Sequence, residues 1–199
     1  MKILLATTNE GKLKEMEALL KKTSLKNIEF ISLKKLPPVD EPIENGKTFF
    51  DNAYIKVMYY YNLFKIPTIS DDSGLMVKAL KNAPGIHTSR YACEEGEKPN
   101  SEKNIKKLLK EMDGITDRRA SFKSSMLFYD GKMLISSEGK MDGEIALKPS
   151  GTNGFGYDPI FYLPSHKCTI AEMSEEDKNK ISHRAKASKM LLDKLEMYF

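Results

Sequence analysis

Short apolar segments alternate along this chain with segments whose apolar residues recur at helical spacing. Residues 2–6 form an apolar run that ends in polar residues, which is typical of a buried strand. Residues 11–22 then place Leu13, Met16, Leu19 and Leu20 at helical intervals. Helices that follow strands build parallel sheets, whereas a tight turn joins antiparallel strands. Because this chain contains both patterns, it predicts an α/β fold with a mixed sheet.

The rest of the chain continues the alternation. A strand is predicted over residues 27–32, and irregular chain over 34–46. Thr48 opens a helix that carries Asn52 and Lys56 on one face and apolar residues on the opposite face, namely Phe50, Ala53, Tyr54, Val57, Met58 and Tyr61. The later predictions are a strand over 67–70, a turn over 71–74, a loop over 84–99, a helix around 105–112, a hairpin of 120–129 with 133–138, and a helix over 181–195.

Composition narrows the class of protein. The chain has 199 residues, which predicts one domain spanning residues 1–199. Its net charge of +4 is spread over isolated lysines, so neither a nucleic-acid partner nor a membrane partner is expected. Cys93 and Cys168 form no C-x-x-C pair, and the apolar N-terminal run is too short for a signal peptide. These features favour a cytoplasmic location.

A polar segment with a glycine follows the first strand: Thr7, Thr8, Asn9, Glu10, Gly11 and Lys12. A strand that leads through such a turn into a helix presents backbone N–H groups to an anion. Lys12 adds a charge that can reach a phosphate. The segment lacks the first glycine and the Ser/Thr of a P-loop. The alternative is an N-cap followed by a solvent-exposed lysine.

Adjacent carboxylates follow the apolar segment 67–70, in the sequence Ser70-Asp71-Asp72-Ser73-Gly74. Open α/β sheets bind ligands at the carboxyl ends of their strands. Carboxylate oxygens also suit Mg²⁺, which binds through one or two carboxylates together with substrate phosphates. Glu44 is a candidate for a second ligand beside Asp72. The alternative is an ordinary turn, since Asp, Ser and Gly are common turn residues.

Two further segments could contact a flat ligand. Residues 150–159 place glycines around Phe155 and Tyr157, which allows close backbone approach and ring stacking. The alternative is a turn whose aromatic rings pack into the core. His183 and Arg184 follow Ser182 at the start of the last helix, where cations oppose the helix dipole unless an electron-rich group lies nearby. The alternative is an N-cap at Ser182 followed by two exposed bases.

In this combination and order, the segments resemble the inosine triphosphate pyrophosphatase family, which hydrolyses non-canonical purine nucleoside triphosphates. The matching segments are Thr7 to Lys12, Ser70 to Leu75, Pro84-Gly85 with Ser89-Arg90-Tyr91, Phe155 to Pro159, and Ser182-His183-Arg184. Thr8 stands where many members of that family carry glycine. The resemblance implies an α/β fold with a mixed sheet in two lobes around a deep central groove, assembled as a homodimer.

The resemblance also implies roles for individual residues. The metal Mg²⁺ would bind Glu44 and Asp72, and Asp72 would also accept a proton during catalysis. The triphosphate would contact Thr7, Thr8, Asn9, Glu10, Gly11, Lys12, Lys56 and Lys178, with Ser73 also touching substrate. The base would contact Phe155, Gly156, Tyr157, Asp158, His183 and Arg184.

Hypoxanthine and xanthine carry a 6-oxo acceptor where adenine carries an amino donor. Donors on His183 and Arg184 would therefore favour ITP, dITP and XTP over ATP, because a mismatched base leaves buried donors unpaired. Rejection of GTP would require a pocket that excludes its 2-amino group. Two alternatives remain open: a pyrophosphatase for modified pyrimidine or canonical nucleotides, and a non-catalytic nucleotide- or RNA-binding protein.

Overall fold

The structure is a computed structural model that describes residues 1–20, 28–94 and 96–199. Those residues form strands β1 (Lys2–Ala6), β2 (Glu29–Ser32), β3 (Thr68–Val77), β4 (Arg119–Tyr129), β5 (Leu134–Ile145), β6 (Phe161–Leu163) and β7 (Cys168–Thr169). The helices are α1 (Glu10–Leu20), α2 (Phe49–Phe64), α3 (Ser101–Glu111), α4 (Glu175–Ile181) and α5 (His183–Tyr198). The predicted ends of the first helix at residues 21–22 and of the second strand at Asn27 lie outside the described residues.

The strands form one seven-stranded sheet in the order β2-β1-β3-β4-β5-β6-β7. β1 pairs in parallel with β2 and β3, whereas β6 pairs antiparallel with β5 and β7. The predicted mixed α/β fold is thereby confirmed. In the parallel part, Ala6 lies opposite Ser70. The polar segment that follows Ala6 therefore starts next to the two aspartates that follow Ser70.

The chain divides into two compact units. The first comprises Met1–Asp72, Ser124–Gly139 and Ser182–Phe199, and the second Ser73–Lys123 and Lys140–Ile181. In the first unit, successive residues of β1 enter different cores. Ile3 and Leu5 pack with apolar residues of α1 and α5, and Leu4 packs with Tyr60 of α2. Side chains of a strand alternate between the two faces of a sheet, so β1 is covered on both faces.

The second unit has its own core around Leu75, Leu108 and Phe161. α3 contributes Leu108 to that core, and its N-cap Asn100 accepts a hydrogen bond from the backbone of Lys103. An aspartate or asparagine at this position satisfies a backbone N–H that the helix itself leaves without a partner. Each unit therefore buries apolar residues from both helices and strands.

Several sequence predictions require correction. The turn predicted over residues 71–74 is instead part of β3, which continues unbroken to Val77. On the predicted apolar face of α2, Ala53 and Val57 are buried as expected, but Phe50 and Tyr54 are exposed. Asn52 and Lys56, predicted on the opposite face, are buried as well. The predicted loop over 84–99 includes a 3-10 helix, Gly85–Arg90, and β5 extends well beyond residue 138.

The predicted start of α2 at Thr48 is confirmed, since Thr48 caps the helix through a reciprocal pair of bonds with Asp51. Ser182 caps α5 by accepting a bond from Ala185 N, but His183 and Arg184 after it are buried. Cys93 and Cys168 are not joined in a disulfide. Within the described residues, no helix combines the length and the apolar character that crossing a membrane requires.

Candidate active site

The two adjacent aspartates of β3 lie in different surroundings because they occupy successive positions on a strand. Their side chains point to opposite faces of the sheet. Asp71 meets residues of α1, β4 and α5, whereas Asp72 meets residues of α2. The two neighbouring carboxylates therefore belong to two separate clusters of charged side chains, one around Asp71 and one around Asp72.

The cluster around Asp72 is formed by side chains of α2 and of the loop that precedes this helix. Asn52 donates from Nδ2 to Asp72 Oδ2 at 3.2 Å, and Lys56 Nζ lies 3.3 Å from Asp72 Oδ1. The same ammonium lies 3.3 Å from Glu44 Oε1. Asn52 and Lys56 are four residues apart on the helix, so both project from one face toward the strand. Glu44 and Asp72 thus approach a common cation.

The loop that carries Glu44 is fastened to α2. Gly46 N donates to Asn52 Oδ1 at 2.8 Å, and Tyr59 donates its hydroxyl to Asp40 O at 3.0 Å. A Cβ atom at Gly46 would lie 2.5 Å from Asp51 Cβ, so only glycine allows this close approach. Asn52 therefore holds both the loop and Asp72.

Opposing influences act on the Asp72 carboxyl. Burial raises its pKa, Lys56 and Lys12 lower it, and Glu44 and Asp71 raise it further. The net direction is upward. Burial is the largest of these influences, so the neighbouring lysines do not fully offset the cost of removing this carboxylate from water.

The Asp71 cluster draws on four elements. Asp71 Oδ2 lies 2.9 Å from Lys12 Nζ and 3.3 Å from Arg184 Nε, and Ser124 donates its hydroxyl to Asp71 Oδ1. Arg184 also pairs through Nη1 with Glu15. Burial alone would raise the pKa of Asp71, but Lys12, Arg184 and the Ser124 bond hold it well below its usual range. Burial lowers the pKa of Lys12, and Asp71 opposes that change.

The segment before α1 is organised by its own side chains. Asn9 Oδ1 accepts from Lys12 N at 3.0 Å, which caps the helix, and Asn9 N donates to Thr7 Oγ1 at 3.2 Å. Glu10 pairs with Lys34 at the surface. The helix N-terminus and Lys12 therefore both lie beside the carboxyl end of β1, as the sequence predicts.

A third charged cluster belongs to the second unit. Asp158 Oδ2 accepts from Lys178 Nζ at 2.6 Å and from Phe155 N at 2.9 Å. Lys178 Nζ also lies 4.8 Å from the centre of the Phe155 ring. Gly154 has a φ of +78°, and a Cβ atom there would lie 2.0 Å from Asp158 Oδ2. Lys178, expected to bind the triphosphate, is thus paired with two residues expected to bind the base.

The remaining predicted site residues differ in exposure. Tyr157 is buried in the core of the second unit and donates its hydroxyl to Thr88 O at 3.0 Å. Gly156 and Ser73 are half-buried. The others are Thr8, which is exposed, Gly11, which is half-buried, and His183, which is buried.

Sequence reasoning missed four residues of these clusters as site residues: Asp71, Asn52, Ser124 and Glu15. Asp71 stands in the recognised motif, but nothing in the sequence indicates that it faces away from Asp72. The four-residue spacing of Asn52 and Lys56 could have identified Asn52. Ser124 and Glu15 carry no signal in the sequence, because their roles depend on contacts with β3 and α5.

The donor set limits how a metal could bind. Among the described residues, no three His, Cys, Asp or Glu side chains are grouped to hold a metal ion. Glu44 and Asp72 supply two carboxylates that already approach one cation, Lys56 Nζ. Two carboxylates suit a hard cation that takes its other ligands from water and phosphate oxygens.

Two adjacent buried carboxylates within β3, each paired with a lysine of a neighbouring helix, define an α/β protein with a buried charged centre. A sequence model of the Ham1 family matches residues 3–194, and the chain belongs to that family.

Individual relatives match over nearly the whole chain. A protein of Aquifex aeolicus (strain VF5), named dITP/XTP pyrophosphatase, is 41% identical over 202 residues, covering 98% of this chain and 97% of the relative. The solved Ham1 protein of Staphylococcus aureus matches with a TM-score of 0.88 and 37% identity over 100% of both chains. The Ham1 protein of Coxiella burnetii matches with a TM-score of 0.88 and 38% identity over 99% of both.

Proposed function

We propose that this chain hydrolyses the non-canonical purine nucleotides ITP, dITP and XTP to the monophosphate and pyrophosphate, and so removes them from the nucleotide pool. The observation that carries the proposal is the approach of Glu44 and Asp72 to a common cation, with Lys56 Nζ 3.3 Å from an oxygen of each. The printed name of full-length relatives, dITP/XTP pyrophosphatase, supports the substrate class.

Mg²⁺ would bind Glu44 and Asp72 together with phosphate oxygens, and would supply neutralisation of the phosphate charge. Lys12 and Lys56 add fixed positive charge in the first unit. In the reaction, the oxygen of a water molecule forms a bond to the α-phosphorus, and the bond from that phosphorus to the pyrophosphate oxygen breaks. Asp72 takes the proton of the attacking water. Catalysis of this kind depends mainly on positioning and electrostatic stabilisation.

Recognition of the base is proposed for Phe155, Gly156, Tyr157, Asp158, His183 and Arg184. Phe155 offers a ring held by the Asp158 bond to its backbone, which suits stacking on a purine. Tyr157 contributes through its backbone, since its ring is buried and its hydroxyl is bonded to Thr88. The triphosphate contacts are proposed for Thr7 to Lys12, Lys56 and Lys178, with Ser73 also touching substrate.

The test is pyrophosphate release from ITP, XTP, dITP, GTP and ATP in the presence of Mg²⁺. We expect rapid turnover of ITP, XTP and dITP, with loss of about a thousandfold in kcat for Asp72→Asn, since the base and a metal ligand are removed together. Asp193→Asn is the matched control, because that exposed aspartate pairs with Lys189 on the surface of α5. It should retain wild-type rates.

Three other results of this test would each contradict a different part of the proposal. Equal rates on all five nucleotides would contradict the base selectivity and leave a general nucleotide pyrophosphatase. Pyrophosphate release from none of them would overturn the function. Full activity of Asp72→Asn would remove Asp72 from the catalytic role while keeping the reaction.

We further propose that the enzyme is a cytoplasmic homodimer. Support for the dimer comes from the family resemblance, and support for the location comes from the thiols of Cys93 and Cys168, which form no disulfide. Light scattering coupled to gel filtration measures the assembly directly. One chain has a mass of 22.6 kDa, so a single species at that mass would contradict the dimer.

A further inference from the structure

Asp71 is a buried carboxylate that pairs with side chains from three other elements, α1, β4 and α5. Its side chain is fully buried, and its two oxygens take an ammonium, a guanidinium and a hydroxyl from Lys12, Arg184 and Ser124. Because the carboxylate is enclosed by these groups, it has no surface for substrate. Its influence on the reaction must therefore pass through the side chains that it holds.

Two of those side chains are proposed to contact opposite ends of the substrate. Lys12, in the first turn of α1, is proposed to bind the triphosphate, and Arg184, in the first turn of α5, is proposed to bind the base. Both reach the same oxygen, Asp71 Oδ2, at 2.9 Å and 3.3 Å. A shift of the carboxylate would therefore displace both cations at once.

Arg184 has a second anionic partner that Lys12 does not share. Glu15, one helical turn after Lys12 on α1, pairs with Arg184 Nη1. A substitution of Glu15 can therefore perturb the contact proposed for the base without removing the partner of Lys12, which is proposed to contact the triphosphate. Removing the Glu15 charge takes an anionic partner from Arg184 and leaves the pair of Lys12 with Asp71 in place, whereas removing the Asp71 charge affects Arg184 and Lys12 together.

We propose that Asp71 is a positioning residue that couples the base end of the nucleotide site to its phosphate end, by holding Arg184 and Lys12 on one carboxylate oxygen. The proposal rests on the proposed function, since it assumes that these two cations contact the nucleotide. Charge-assisted hydrogen bonds fix geometry more firmly than neutral ones, so a neutral amide at this position should loosen both cations.

The test compares two readouts in the full-length protein with Mg²⁺. The first is base discrimination, the ratio of kcat/KM for ITP to kcat/KM for ATP. The second is the inhibition constant of inorganic pyrophosphate, which reports the phosphate end. The ratio does not change with the fraction of folded protein, because that fraction multiplies both of its terms. Partial unfolding therefore cannot imitate the expected result.

For Asp71→Asn we expect discrimination to fall and the pyrophosphate inhibition constant to rise, each by about tenfold, the effect of weakening one charge-assisted hydrogen bond. Glu15→Gln is the matched control, and should lower discrimination while leaving pyrophosphate inhibition at the wild-type value. If Asp71→Asn fails to fold, Ser124→Ala replaces it. That variant keeps the charge but removes one of the donors that orient it, and both readouts should move in the same directions by about threefold.

An Asp71→Asn protein with both readouts unchanged would overturn the proposal, and so would a change in one readout alone. A wild-type protein that releases no pyrophosphate from any nucleotide would overturn the proposed function, and the coupling proposal with it. A wild-type enzyme with normal discrimination and an unaffected Asp71→Asn variant would overturn the coupling alone.

Discussion

At the scale of single residues, Asp71 and Asp72 show that chemical identity does not determine a side chain's role. Burial raises the pKa of Asp72, but Lys12 and Arg184 hold the pKa of Asp71 well below its usual range. The difference follows from the alternation of side chains along β3, which gives the two carboxylates different neighbours. A charge in the Asp71 environment is fixed, whereas Asp72 remains able to take another cation.

Gly154 and Gly156 provide a residue-scale prediction about the loop that carries Phe155. Both have left-handed backbone, with φ of +78° and +63°, so alanine at either position should cost about 1 kcal/mol of unfolding free energy. At Gly154 the added Cβ would also lie 2.0 Å from Asp158 Oδ2. Gly154→Ala should therefore lower the melting temperature further than Gly156→Ala, where nothing lies within 4 Å of the added atom.

Calorimetry or circular dichroism on the two variants measures the difference. The pair is well matched, since the substitutions are identical and stand two positions apart. Equal melting temperatures would show that Asp158 does not hold the loop in the observed position. A lower kcat/KM for ITP in Gly154→Ala, measured well below its melting temperature, would link the same contact to the base site.

At the scale of elements, β3 shows that a local sequence pattern can predict the wrong secondary structure. The segment Asp-Asp-Ser-Gly is typical of a turn when those residues are considered alone. The strand instead continues between its neighbours β1 and β4 in the sheet. Its two aspartates can be buried there because Lys12 and Arg184 pair with Asp71, while Lys56 and Asn52 pair with Asp72. These partners come from α1, α2 and α5, and no local pattern reveals them.

α2 shows the same limit in another form. Its start at Thr48 was predictable, because a capping residue precedes a helical pattern. Its buried face was predictable only in part, because Ala53 and Val57 are buried as expected whereas Phe50 and Tyr54 are exposed. The polar residues Asn52 and Lys56 are buried because they bind Asp72, and a rule that places apolar residues inside cannot anticipate this.

Some residues of the candidate site can be predicted from the sequence, and others cannot. The motifs at Thr7 to Lys12, at Asp72 and at Phe155 to Asp158 could be recognised, because each combines turn residues with groups that bind phosphate, metal or a ring. Glu15 and Ser124 could not, because their importance arises from a partner far away in the sequence. Short motifs report the chemistry of a site, and the structure adds the residues that hold it in place.

At the scale of the whole molecule, each unit has its own core and its own buried charged cluster. Lys12, Lys56 and the two aspartates belong to the first unit, and the cluster of Asp158 and Lys178 belongs to the second. The single domain over residues 1–199 and the deep groove between lobes stay predictions. The mixed sheet expected from the alternating pattern is the part of the architecture that the structure confirms.

Electrostatics separates the enzyme from the alternative of a nucleic-acid-binding protein. The net charge is +4, but the side chains of Lys12, Lys56 and Lys178 are only 15%, 11% and 8% exposed, and each is paired with a carboxylate. Salt screens exposed charges much more strongly than buried pairs. The proposed substrate-binding cations should therefore be affected little by ionic strength.

Raising KCl from about 50 to about 200 mM, with Mg²⁺ held in excess, should lower kcat/KM for ITP by less than about tenfold. A protein that binds RNA through six to ten phosphates would lose about a thousandfold or more in affinity over that range. Turnover kinetics and RNA retention on a filter, measured across the same salt series, compare the two directly. Tight RNA retention at low salt with a slope that steep, and no Mg²⁺-dependent turnover, would favour the binding protein. A shallow dependence of turnover would indicate that the paired lysines of the site, rather than the net charge of the surface, bind the substrate.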